Sequence, residues 1–169
     1  MARHVAERRR VYAQGNASRA GQDPQILQVV GKVRGAAYST GAIALKAAEA
    51  LQRSYEANVG PDASIREAAN LQADLEVSQS VTVVTSLVLD ATTVLFDALG
   101  ASAAKRSNGL DRHWRNVRTI SSHNPRIYHD RTVGHFAVHG SVPPRAIGIG
   151  IAKDPKDAAD SPKGAQFAS

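Results

Sequence analysis

The chain has 169 residues, enough for one domain with a single core. At 43% hydrophobic and 21% charged it is globular rather than disordered, and 5% aromatic content favours closely packed helices over a sheet of large side chains. It has no cysteine, which excludes disulfides and thiolate metal sites and fits a reducing, cytoplasmic location.

The net charge of +6 raises nucleic acid as a partner, but the basic residues are scattered and no aromatic-interleaved basic cluster accompanies them. No run approaches the roughly 20 apolar residues needed to span a bilayer. The start, Met1 to Arg10, is basic yet lacks the apolar core of a secretory signal. The expectation is a chain that binds neither nucleic acid nor membrane.

In chain order, Ala2 to Tyr12 reads as helical but begins without a cap. The next helix starts at Asp23-Pro24, where Asp can cap and Pro suits the first helical position. Ile26, Val30, Val33, Ala37, Thr40, Ala44, Ala48 and Leu51 then recur at steps of three and four, one stripe of a long amphipathic helix ending near Asn58. Gly60-Pro61 breaks it. Ser64 with Glu67 forms a capping-box pattern for a second long helix, whose inner stripe is Val81, Val84, Val88, Ala91, Leu95 and Ala98. Gly100 is placed to stop it. Joined by so short a turn, the two long helices should pack antiparallel.

Shorter elements follow at about Leu110 to Thr119 and from Pro125 to about Val138. Beyond Pro143-Pro144 the sequence turns to Lys, Asp, Ala, Ser and Pro without periodicity, which predicts a disordered tail over 145–169, although Ala146 to Ala152 could pack somewhere. Two antiparallel helices cannot bury their apolar faces alone. The entry at Met1 therefore reads either as the middle of a truncated first bundle helix or as part of a small three- or four-helix protein using its own short segments.

The segment Leu110-Asp-Arg-His-Trp-Arg-Asn-Val-Arg-Thr119, followed by Ser121-Ser-His-Asn-Pro125, resembles the C-terminal domain of flavin-dependent monooxygenases with an acyl-CoA dehydrogenase fold. The dibenzothiophene monooxygenases and related sulfur- and nitrogen-compound oxygenases belong there. Their pattern reads Asp-Arg-x-Trp-Arg-Asn-x-Arg-Thr and then His-Asp-Pro, and here Asn124 replaces the Asp. Gly100-Ala-Ser-Ala103, His139-Gly140 and the Asp23-Pro24 helix start also fit, so the likeness covers about residues 3 to 144. It implies an all-α, antiparallel four-helix-bundle domain over 1–144, with the first helix truncated and two further domains preceding it in relatives.

The resemblance further implies a two-component monooxygenase that uses O2 and reduced flavin, FMN or FAD, supplied by a separate reductase. The substrate would be a small organic molecule containing sulfur or nitrogen, and the assembly a homotetramer. The alternatives are a dehydrogenase acting on CH–CH groups, disfavoured because Ser121 to Arg126 contains no carboxylate, and a non-catalytic helical interaction module.

His123 matches the His of the family's His-Asp-Pro and is the candidate catalytic residue, since imidazole carries protons near neutral pH. The plain alternative is a helix-start His that caps or meets solvent. Gly100, Ala101, Ser102 and Ala103 stand where relatives have a small-residue loop close to the flavin of a neighbouring subunit, and small residues let backbone amides approach a phosphate; an ordinary helix stop explains Gly100 equally. Arg10 stands where relatives carry Arg-Pro-aromatic and is a candidate for flavin phosphate, although Val11 replaces the Pro and a solvated basic helix end accounts for it too. Arg112, Arg115 and Arg118 recur every three residues and are read as structural, with Trp114 as a packing anchor. His135 and His139 would share a helical face, but no His-Glu-x-x-His motif accompanies them and no metal site is expected.

Overall fold

A computed structural model describes residues 1–143. Five helices follow in order: α1 (Ala2–Glu7), α2 (Pro24–Val59), α3 (Ala63–Leu99), α4 (Asp111–His123) and α5 (Arg126–His139). Short 3-10 turns lie at Ala20–Gln22, Ala101–Ala104 and Arg106–Asn108, and no strand occurs among the described residues. The tail expected over 145–169, with Ala146 to Ala152, lies outside the described residues.

Local chemistry accounts for most of these boundaries. Asp23 caps α2 by accepting from the Gln25 amide at 2.9 Å, with Pro24 at the first helical position. The same carboxylate accepts from the Asn16 amide at 3.0 Å, and this bond above all holds its pKa below the usual carboxylate range. α3 is capped by Asp62 rather than the expected Ser64. The Asp62 Oδ1 atom accepts from the Ser64 and Ile65 amides and from the Ser64 hydroxyl, because extended backbone at residue 62 aims the carboxylate at the helix's free amides. Gly100 ends α3 with φ +75° and donates its amide to the Phe96 carbonyl at 2.7 Å.

α2 and α3 pack antiparallel along their length. Lys32 meets Asp90 at 3.1 Å near one end, and the Ser54 hydroxyl donates to Asn70 Oδ1 at 2.6 Å near the other. At that same end Arg53 meets Glu76 at 2.7 Å.

The expected stripe on α2 is out of register over much of its length. Val33, Ala36, Thr40, Ile43 and Ala47 are half-buried and Ala50 is buried, while Ala37, Ala44, Ala48 and Leu51 face outward. Adjacent alanines at 36–37 and 47–48 fit either face, so only the packing against α3 chooses between them. On α3 the expected stripe is half-buried at Val81, Val84, Val88, Ala91 and Leu95, and buried only at Ala98.

α3 also passes the length and composition test for a membrane span, with mean hydropathy 1.6 over its most apolar window, contrary to the sequence expectation. Ser and Thr interrupt its apolar runs, but their hydroxyls bond back to the helix's own carbonyls, as in Ser80 to Glu76 at 2.6 Å and Thr93 to Leu89 at 2.8 Å. By length and composition alone, one such helix is weak evidence for a membrane.

α1 stops at Glu7, short of the expected Tyr12, with Arg8 in extended backbone. α4 continues to His123, past the expected Thr119. α4 and α5 both lie against α3, with α5 held there by Arg126 on the Ser86 hydroxyl at 2.7 Å and by Ser78 Oγ to His129 Nδ1 at 3.0 Å. Among the described residues, the tightly packed core sits at the α3 C-terminus, where Val5, Ala20, Ala98, Leu99 and Ala103 bury one another, with Ile26, Phe96 and Leu110 packed around them.

Candidate functional site

That core supports a concavity walled by the chain's first residues and by the loop after α3. Val5, buried on Ala98 and Leu99, brings the end of α1 to the end of α3. Arg8 then folds over the α3 C-terminus and donates to the Ala98 carbonyl at 3.0 Å, a cation placed on the negative end of a long helix dipole. Its guanidinium lies over Gly100, 3.4 Å from where a Cβ would stand. The backbone here, φ 75° and ψ 173°, is open to glycine almost alone.

The result is a hollow of about 890 Å³, basic on balance, lined on one side by His4, Glu7, Arg8, Arg9 and Arg10 and on the other by Gly100, Ala101 and Ser102. The arginine run and the small-residue loop, some ninety residues apart in sequence, thus face each other. Arg10 and Arg9 are exposed, whereas Arg8 is half-buried. Ala103 is not in the wall: it is buried in the core, and its amide bonds the Gly100 carbonyl at 3.0 Å to close the turn. Guanidinium groups facing a tight backbone turn suit a phosphate or other dianion. The Gly100 cradle, which a Cβ would fill, leaves the turn close enough for that group to be approached.

Sequence reasoning chose Arg10 by its place beside Val11-Tyr12 and missed Arg8. No local signal marked Arg8, which lies one residue past α1 in extended backbone and finds its partner carbonyl ninety residues away.

His123 is not part of this hollow. Leu110, just before α4, packs on the core beside Gly100, and α4 then carries the chain about 18 Å away along its axis. His123 is the last residue of α4, exposed, rather than a residue at a helix start. A basic side chain there suits the helix dipole. Trp114 is 40% exposed, so it is a partial anchor only, and Arg115 makes the expected acid pairing with Asp111 at 3.3 Å. The His135 and His139 rings lie 4.6 Å apart, with His135 Nδ1 on the Ser141 carbonyl at 2.7 Å. No group of three metal-capable side chains forms among the described residues.

With the geometry in view, the comparisons with known proteins are specific. Residues 1–125 match the family model "Acyl-CoA dehydrogenase, C-terminal domain", and the chain belongs to that family. Dibenzothiophene monooxygenase from Mycolicibacterium goodii is 27% identical over 134 residues, 79% of this chain and 31% of that protein. Methanesulfinate monooxygenase MsuC from Pseudomonas fluorescens superposes with TM-score 0.69 at 27% identity, over 85% of this chain and 36% of the other. FMN-bound TdsC from Paenibacillus superposes with TM-score 0.69 at 29% identity, over 84% and 34%. The chain thus spans about a third of the length of these relatives.

Proposed function

We propose that residues 1–144 serve as the C-terminal helical domain of a flavin-dependent, two-component monooxygenase, with 145–169 as a tail. Its substrate class is small sulfur- or nitrogen-containing organic molecules. It would act in the cytoplasm as a homo-oligomer, a tetramer by family resemblance, taking reduced flavin from a separate reductase. The observation that carries this is the pairing of the arginine run with Gly100–Ser102 in a chain similar to an FMN-bound structure. Reduced flavin, when bound, supplies the activation of O2.

The chain's own residues have narrower tasks. Arg10, with Arg8 and Arg9, would hold the flavin phosphate, and Gly100, Ala101 and Ser102 would let it approach the backbone. Since His123 lies at the far end of α4, one chain does not bring it to the phosphate hollow; in this reading it carries a proton at the reacting end of a flavin whose phosphate rests elsewhere.

The test joins this chain to the remaining two thirds of TdsC in place of that protein's C-terminal part. Oxygenation that depends on a reductase and O2 is expected, and His123→Ala should lower kcat about a hundredfold or more with flavin binding and melting temperature nearly unchanged. Lost stability with normal turnover per folded molecule would return His123 to a structural role. Product formation without O2 would favour the CH–CH dehydrogenase. The chain by itself should bind FMN and FAD negligibly in a fluorescence titration, because the hollow offers a phosphate grip and no enclosure for a ring system.

A further inference from the structure

Away from the hollow, the last turns of α5 carry two imidazoles on one face. His135 and His139 stand one helical turn apart, with ring centroids 4.6 Å from each other and planes tilted by 51°. His135 is half-buried and His139 exposed. Gly140, with φ 68°, ends the helix and donates its amide to the Phe136 carbonyl at 2.8 Å. The chain turns back there, and the Ser141 carbonyl comes to 2.7 Å from His135 Nδ1.

That contact decides the tautomer. A carbonyl oxygen only accepts, so Nδ1 is the donor, and in the neutral ring the lone pair then lies on Nε2. A backbone carbonyl holding one ring nitrogen is also how metal-binding proteins fix the orientation of a ligating histidine. His139 makes no hydrogen bond among the described residues, so its ring is free to bring a nitrogen beside that Nε2. Arg131, one turn before His135 on the same face, has its guanidinium over the Tyr128 ring, 5.5 Å from the centroid. His129 is engaged through Nδ1 with Ser78 on α3 and does not join the pair.

We propose that His135 and His139 form a chelating site for a divalent transition-metal ion that favours imidazole, Cu2+ most tightly and Zn2+ and Ni2+ less so. The sequence carries no His-Glu-x-x-His, but in that motif the Glu adds a catalytic base to a helical His pair of this same spacing, and capture of an ion needs only the pair. Two imidazoles fill part of the ion's shell and leave the rest to water, so the ion is exchangeable rather than structural. The site is independent of the flavin reading, and its test does not touch that reading.

Titration of the full chain with Cu2+ should show tight uptake of an ion whose electron paramagnetic resonance carries the signature of two imidazole nitrogens. His135→Ala and His139→Ala should each weaken that uptake at least about tenfold, because each removes one arm of the chelate. Alanine favours helix at both positions, so α5 is kept. Ala137→His added to His139→Ala restores the number of histidines on another face of α5, and binding should stay weak. Absence of binding at micromolar Cu2+ would overturn the proposal. So would affinity unchanged by His139→Ala, as a copper site at the amino terminus with His4 would give, or affinity regained with Ala137→His.

Discussion

The end of the bundle around Gly100 and the outer shaft of α2 are both rich in alanine and glycine, yet they differ in what those residues do. At Gly100 the small residues are used up within the chain: Ala20, Ala98 and Ala103 are essentially closed to solvent, and Arg8 occupies the space over Gly100. On α2, Gly31, Gly35 and Gly41 face open space beside exposed Tyr38 and Leu45. Composition alone therefore does not separate a finished site from an unfinished surface. What separates them is whether a neighbouring element arrives, and only one end of α3 receives both α1 and the loop before α4.

Paired substitutions give the largest expected contrast between the two regions. Leu99→Ala, in the closed core, should cost about 2–5 kcal/mol in chemical denaturation. Leu45→Ala, on the open shaft, should fall within about 0.5 kcal/mol when measured in monomer. Equal losses would mean the shaft is covered in solution.

A smaller effect is expected from Gly100→Ala. The positive φ resists a side chain and the added Cβ meets the Arg8 guanidinium at 3.4 Å, so a loss of about 1–3 kcal/mol is expected. Gly41→Ala, with open space and ordinary helical backbone, should instead stabilise the monomer by about 0.5–1 kcal/mol. A matching loss at both glycines would erase the distinction.

The gentlest probe is acid. Asp23 is held below the usual range chiefly by the Asn16 amide, Asp62 by the Ser64 hydroxyl, and Glu76 by Gln72 and then Arg53. Depressed folded-state values mean that their stabilisation is present above the ordinary carboxylate pKa and is lost as pH falls through the lower folded values. Melting temperature should accordingly drop with pH in that acid window, and Asp23→Asn with Asp62→Asn should flatten the decline. An unchanged slope in the double variant would assign the acid sensitivity to other groups.

Much of the fold could be read from the chain itself because its signals are local. Asp23-Pro24 starts α2, Gly60-Pro61 breaks it and Gly100 ends α3, since caps and left-handed stops depend on a few neighbouring dihedrals. The family pattern from Leu110 to Pro125 is likewise a matter of residues in order, and it led to the family that the comparisons show. Which face of α2 meets α3 could not be read, because adjacent alanines at 36–37 and 47–48 are equally acceptable on either side. Nor could the role of Arg8, whose partner, the Ala98 carbonyl, lies ninety residues away. The separation of His123 from the basic hollow depends on the length and direction of α4. Side-chain identity and spacing decide where helices begin and end; which residues face each other across them is decided only when the helices pack.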